Sequence, residues 1–395
     1  MRNLVRQEVF DSSRTLIIKI GSNVLTRSDD QLNEERIRHL SDQIDRLMNT
    51  GRKVVVVSSG AVAAGIGVLG LTQRPQTLPE LQASAAAGQT RLMKAWGDSF
   101  GASGHKVAQI LLTVNDFRSR RRYLNIRNTI RTLLAFGVTP VINENDSVSI
   151  AEITLGDNDQ LAAMIAALVP NPLMIILSSV DGLYDGPPDS PGSKVISLVE
   201  QPNSSMLQHV SSDQSSRGRG GMGAKLQAIL NATQTGESVI LANGLADDVL
   251  DQISTGEEVG TLFLASGSTI PAWKRWIGYS ARPEGTLQLD DGACKAVVQN
   301  GKSLLAVGIK NVVGTFGQGA SVSLTQAGGR EVARGLVNYT AEEIRRIAGH
   351  RSESIPELLG HIPYREVIHR DNLVVTDDSR VFSLGETTDA PPVQP

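Results

Sequence analysis

Val141 to Asp159 reads VINENDSVSIAEITLGDND, with acids at Glu144, Asp146, Glu152, Asp157 and Asp159 and amides at Asn143, Asn145 and Asn158. The apolar run before the cluster, Phe136 to Ile142, predicts a buried strand that ends where the polar residues begin. The apolar run Leu161 to Leu168 predicts a helix directly after it. Polar side chains gathered at a strand end and a helix start are where open α/β sheets hold their ligands. A solvated turn with Asx caps has a similar composition, because Asn and Asp also dominate ordinary loops.

Working outward, similar junctions recur. Leu16 to Ile20 (LIIKI) reads as a central parallel strand, near-continuously apolar because both faces are covered. Lys19 inside it needs a partner or an exit, since lysine is rarely buried alone. Gly21 and Ser22 follow with backbone N–H groups that could face an anion. An edge-strand lysine that serves solubility is the other reading. Ile37, Leu40, Ile44 and Leu47 mark an amphipathic helix over Asn33 to Met48, and Lys53 to Val57 the next strand. That strand runs into Ser58, Ser59 and Gly60, small residues that let a carboxylate approach a helix N-terminus.

Leu81 to Trp96 predicts a helix and Val107 to Leu112 a strand. Phe117 to Leu134 carries Arg118, Arg120, Arg121, Arg122, Arg127 and Arg131, a solvated helix face or a subunit surface before it is a nucleic-acid site. Leu173 to Leu177 is a strand ending in Ser178, Ser179 and Asp181. Gly218 to Lys225 (GRGGMGAK) opens an amphipathic run, Leu226 to Ala232, and its glycine N–H groups and lysine suit phosphate. It is not the Walker pattern, for Leu226 follows the lysine. Val239 to Leu241 and Gly260 to Leu264 predict the last strands of a mostly parallel sheet with helices on both faces.

With 395 residues, two domains are expected. After a link at 269–284, short segments at Thr286 to Leu289, Ala296 to Gln299, Ala320 to Leu324 and Glu331 to Leu336 predict a small, mostly antiparallel β domain over 285–367. Its helix signal is the capping box of Thr340 and Glu343. The tail, 383–395, is expected to be disordered. A formal charge of −3 argues against broad electrostatic capture of nucleic acid, and the single cysteine, Cys294, excludes an internal disulfide and multi-cysteine metal sites. No apolar run approaches the roughly 20 residues of a membrane span, and no signal peptide is legible, so a soluble, cytoplasmic protein is expected.

These parts suit phosphoryl transfer: Lys19 and Lys225 for the charge of the moving group, glycine N–H groups for the rest. Asp157 and Asp159 can orient the lysines or bind Mg²⁺ partly through water. The strings KIGSNVL, VVVVSSGAVAAG, PVINENDSV, GDND and RGGMGAKLQA closely resemble the glutamate 5-kinases of the amino-acid kinase superfamily. The C-terminal part, from GTLQLDDGA (Gly285 to Ala293) to IHRDNLVV, resembles a PUA domain, and the resemblance covers roughly residues 14 to 375.

It implies a catalytic domain over 14–268 and ATP-dependent phosphorylation of the γ-carboxylate of L-glutamate, with Mg²⁺, as the first step of proline biosynthesis. By motif, Lys19 and Lys225 would stabilise the transferring group and Asp157 would organise them. Ser59, Gly60, Asp146 and Asn158 would hold glutamate, with Asn143 and Asn145 alongside. Lys19, Ser178, Ser179, Arg219, Gly220, Gly221, Met222, Gly223, Ala224 and Lys225 would face ATP. Asp159 is left to a metal-linked role or a helix cap. The family also implies feedback inhibition by proline, a homodimer or homotetramer, and glutamyl 5-phosphate reductase downstream. RNA binding by the PUA domain is a further expectation, drawn from PUA domains elsewhere. Two positions depart: Ser178-Ser179 stands where the family commonly has Thr-Asp or Ser-Asp, and Arg219 where it has Thr. Both add positive character near the nucleotide. Other acceptors within the superfamily, such as N-acetylglutamate, aspartate or carbamate, fit the sequence less well.

Overall fold

A computed structural model describes residues 3–148, 158–188, 190–203, 206, 221–265, 277, 283–360 and 364–376. The chain divides into two compact units, Met1–Ala272 and Trp273–Pro395.

The first unit is built on an eight-stranded sheet in the order β3-β4-β2-β1-β5-β7-β8-β6. The strands are β1 (Thr15–Ile20), β2 (Lys53–Ser58), β3 (Lys106–Leu112), β4 (Val138–Glu144), β5 (Pro172–Ser178), β6 (Leu198–Val199), β7 (Ser238–Asn243) and β8 (Thr261–Phe263). β1 pairs in parallel with β2 on one side and β5 on the other, Lys19 lying opposite Val57 and Ile176. Every residue of β1 and β5 is buried, as the unbroken apolar runs require. Each buried Leu or Ile there contributes about 1.5–3 kcal/mol relative to exposure. β8 runs antiparallel to β7 and takes β6 as a parallel edge partner.

Helices cover both faces: α1 (Leu4–Ser12), α2 (Ser22–Leu25), α3 (Glu34–Asn49), α4 (Ala61–Leu69), α5 (Leu78–Ala102), α6 (Val114–Arg118), α7 (Arg120–Ala135), α8 (Asn158–Ala166), α9 (Met222–Gln234) and α10 (Val249–Ser254). The apolar stripe of α3 is buried as its spacing predicts, and Asn33 caps it by accepting from Arg36 N at 3.0 Å. The arginine-rich run forms two helices. Tyr123, Ile126 and Ile130 face the core from α7, while Arg120, Arg121 and Arg122 are exposed. β4 starts later than the apolar run suggests: Phe136 caps α7 and is 75% exposed, and Gly137 turns the chain with a positive φ of 70°.

α4 and α5 approach backbone to backbone. A Cβ on Gly88 would lie 2.0 Å from Ala61 O, and one on Gly65 would lie 1.8 Å from Ser84 O. Only glycine permits this contact, which seats the N-terminus of α4 directly behind the end of β2.

The second unit holds a five-stranded sheet in the order β10-β9-β11-β12-β13: β9 (Gly285–Leu289), β10 (Ile309–Gly314), β11 (Ser321–Thr325), β12 (Glu331–Leu336) and β13 (Leu373–Val375). Pairing is antiparallel except between β9 and β11. β13 carries the sheet past residue 367. The strand expected at Ala296 to Gln299 is instead the end of helix α11 (Asp291–Val298), started by Asp290, whose carboxylate accepts from Ala293 N at 2.6 Å. That N-cap outweighs the β-branched pair Val297-Val298. The capping box of α12 (Ala341–Ile347) forms as expected, Glu343 accepting from Thr340 N at 2.8 Å and Thr340 from Glu343 N at 3.3 Å. The expected tail, 383–395, and most of the expected link, 269–284, lie outside the described residues.

Candidate active site

The C-terminal ends of β1, β2, β4, β5 and β7 meet along one edge of the sheet, and at the neighbouring strands β1 and β5 the chain departs to opposite sides, from β1 toward β2 and from β5 toward β7. Such a switch point opens a crevice above the strand ends. α8 contacts β1, β2, β4 and β5, so its first turn delivers Asn158 and Asp159 into that crevice.

Asp159 is fully buried and stands between two ammonium groups. Its Oδ1 lies 2.6 Å from Lys19 Nζ and its Oδ2 3.3 Å from Lys225 Nζ. Burial pushes the carboxyl up, and the charges of Lys19 and Lys225 with their hydrogen bonds outweigh it, holding Asp159 below the usual carboxylate range. Lys19, Asp159 and Lys225 thus gather fixed charges in a largely closed setting, where such charges act strongly.

Asp159 contacts both lysines, while Asp157, the residue expected to organise them, lies outside the described residues. A metal role for Asp159 does not fit this geometry, because both of its oxygens already face cations. Among the described residues no cluster of three or more His, Cys, Asp or Glu forms a metal site.

Beside the lysines lies a chain of amides. Asn158 Nδ2 donates to Ser59 Oγ at 2.9 Å, to Asn143 Oδ1 at 3.0 Å and to Ser58 O at 3.3 Å. Asn143, at the end of β4, accepts from Glu144 N at 2.9 Å and donates to Gln89 Oε1 at 2.9 Å. Ser59 and Gly60 form the turn from β2 into α4; Gly60 holds φ at 105°, a left-handed conformation that glycine takes without strain. Asn145 and Asp146 follow β4 in a half-buried turn, where Asn145 N donates to Leu112 O at 2.8 Å and Asn145 Oδ1 accepts from Ser147 at 2.6 Å.

On the other side, Ser178 ends β5 and its carbonyl accepts from Gly244 N at 2.7 Å, while Ser179 is exposed. Gly221 caps α9, and Met222, Gly223, Ala224 and Lys225 make its half-buried first turn; Arg219 and Gly220 lie outside the described residues.

Sequence reasoning missed several supports. Asp181 accepts from Asn243 Nδ2 and from Tyr184 OH, each at 2.8 Å, and these two bonds depress its carboxyl against a smaller opposing effect of burial. Arg36 is buried, with Nε on Gly244 O at 2.9 Å and Nη2 on Ala246 O at 2.8 Å, fixing the loop after β7. Gln89 carried a legible signal: it interrupts the core stripe of Leu81, Ala85, Leu92 and Trp96 on α5.

The Amino acid kinase family matches residues 14–243, and the PUA domain matches 285–359. "Glutamate 5-kinase" of Geobacter metallireducens is 46% identical across 94% of this chain and 100% of its own length. The chain belongs to the glutamate 5-kinase family. "Glutamate 5-kinase" of Rhodopirellula baltica is 44% identical across 94% of this chain and 96% of its own. Among solved structures, a UMP kinase from Bacillus anthracis aligns over 64% of this chain and 97% of that one, at 14% identity and a TM-score of 0.45. As in the family, an α/β kinase domain precedes a smaller β-rich PUA domain. Among the described residues no helix is long and apolar enough to cross a membrane.

Proposed function

We propose that this chain transfers the γ-phosphoryl group of ATP to the γ-carboxylate of L-glutamate, giving glutamyl 5-phosphate and ADP, the opening step of proline biosynthesis. The observation that carries the reading is the shared contact of Lys19 and Lys225 with Asp159, set one residue from the amide chain of Asn158, Asn143 and Ser59. Nucleophile and phosphate are both anions. Their approach is disfavoured until fixed cations offset the repulsion, and the lysines supply that charge without reorganising.

In this reading Ser59, Gly60 and Asn158 take the amino-acid end of glutamate, with Asn143 behind them and Asn145 and Asp146 at the mouth. Asn158 Oδ1 supports this: it is buried and has no donor among the described residues, so it suits the substrate ammonium. Asp146 offers that ammonium a carboxylate.

ATP belongs against Ser178, Ser179 and the start of α9. Neither backbone nor packing demands glycine at Gly221 or Gly223, for φ at Gly221 is −66° and no atom of the described residues lies within 4 Å of a Cβ at either position. Close approach of phosphate oxygens to the helix N-terminus accounts for glycine there. Mg²⁺ accompanies the ATP phosphates, which it favours as ligands, and Asp159 is not its ligand. Inhibition by proline, assembly as a homodimer or homotetramer, delivery to glutamyl 5-phosphate reductase and a cytoplasmic setting complete the proposal on the family likeness; RNA binding by the PUA domain forms no part of it.

The test is a coupled ADP-release assay with glutamate, aspartate and N-acetylglutamate, each with and without Mg²⁺ and proline. Turnover with glutamate is expected. Turnover only with N-acetylglutamate overturns the reading.

A further inference from the structure

We propose that Gln89, a residue of α5 outside the crevice, is a positioning residue that holds the amide of Asn143 in place, and through it that of Asn158, and so supports the affinity for the amino-acid substrate. This rests on the reading of Asn158 and Ser59 as the glutamate contacts.

The polarity of the amide chain is fixed at two points that cannot be reversed. Glu144 N is a backbone donor, so the Asn143 atom it meets at 2.9 Å must be the oxygen. Asn143 therefore turns its NH₂ toward α5, where Gln89 must present Oε1, at 2.9 Å. At the other end, Asn158 meets Ser58 O and Asn143 Oδ1, both acceptors, so its NH₂ lies on that side. Asn158 Oδ1 is then left for a ligand. Reversing any one amide would set oxygen against oxygen, or NH₂ against NH₂, in a buried site.

Gln89 is held where it can do this. Gly88 beside it meets the α4 backbone too closely to admit a Cβ, and Trp96, two turns along the same helix, donates from Nε1 to Ser58 Oγ at 3.0 Å. Ser58 Oγ in turn donates to Ser59 O at 2.9 Å. α5 thus braces the end of β2 directly and the end of β4 through Gln89. Gln89 is 8% exposed, and its Nε2 has no acceptor among the described residues. A buried amide that leaves one end unengaged is costly for packing alone. Its retained function is the acceptor end.

Steady-state kinetics on Gln89→Met, Gln89→Glu and Asn158→Ala test this, with a thermal melt of each. Gln89→Met, similar in size and without an acceptor, is expected to raise the KM for glutamate about tenfold or more and leave the KM for ATP within about twofold. Gln89→Glu keeps an acceptor whether neutral or ionised, and is expected to hold the glutamate KM within about twofold of the parent protein. A Met variant with an unchanged glutamate KM overturns the proposal. Should the Met variant fail to fold, a folded Glu variant with a glutamate KM raised as far as that of Asn158→Ala overturns it as well. If Asn158→Ala itself leaves the glutamate KM unchanged, the underlying assignment of the substrate side falls, a result separate from the other two.

Discussion

Asp159 Oδ1 lies 2.6 Å from Lys19 Nζ, and both side chains are almost wholly closed to solvent. The strand that carries the lysine and the helix that carries the acid are far apart in sequence. Their pairing makes a lysine tolerable inside an apolar parallel strand.

Replacing Asp159 with Asn removes the buried carboxylate that contacts both Lys19 and Lys225. Breaking a buried pair from one side costs about 3–5 kcal/mol, so a clear drop in melting temperature is expected. The kcat should fall about 100-fold or more, as when a preorganised electrostatic contact is lost. Thermal melts and ADP-release assays on Asp159→Asn check both. A variant with the parent's kcat would remove Asp159 from the mechanism.

The depressed carboxyl of Asp159 has a pH consequence. Because its folded value lies below the usual 3.8, the stability it contributes is complete above 3.8 and is lost as the pH falls through the folded value. Urea midpoints measured downward from about pH 5 should therefore decline more steeply for the parent protein than for Asp159→Asn. Parallel declines would contradict the expectation.

Gly88→Ala and Gly97→Ala both exchange glycine for the better helix former on α5, yet opposite effects are expected. At Gly88 the new Cβ would meet Ala61 O at 2.0 Å and Gly65 N at 2.2 Å, atoms of backbone that cannot rotate away. The cost should reach about 1–3 kcal/mol, the range for overpacking. At Gly97 the closest atom is Val107 Cγ2 at 3.8 Å, an ordinary contact, and a gain of up to about 1 kcal/mol is expected. Denaturant titrations of the two variants read the difference.

Arg219, outside the described residues, stands in the run GRGGMGAK where the family resemblance leads to an expectation of Thr. If its guanidinium contacts the nucleotide, Arg219→Thr should raise the KM for ATP about tenfold, the scale of one charge-assisted hydrogen bond, and leave the KM for glutamate unchanged. An ATP KM identical to the parent's removes the residue from the nucleotide site.

Arg6 shows where local reading stops. Leu4 to Ser12 gives little periodic signal, yet α1 inserts the Arg6 guanidinium among the carbonyls of Ser197, Val259 and Gly260 at 2.7, 2.6 and 2.8 Å. Burial lowers its pKa against the opposing charge of Glu258. A planar donor fork can satisfy three carbonyls at once, but which carbonyls converge on it depends on segments remote in the chain. The helix at Asp291 was missed for a local reason: one N-cap outweighed residues that favour strands.

By itself, the sequence determined the alternation of strand and helix, because continuous apolar runs and amphipathic spacings are properties of neighbours. It also marked the polar strand ends at Lys19, Ser59 and Asn143, since polar groups abutting buried runs need an explanation wherever they occur. What only the tertiary structure decided was the pairing across those ends. Spacing in the sequence carries no information about which carboxylate a folded helix turns toward β1, so the contact of Asp159 with both lysines belongs to the packed structure. A carboxylate with no access to water persists as an ion only where cations surround it, and the packing of α8 across β1 and β5 brings Asp159 to both Lys19 and Lys225.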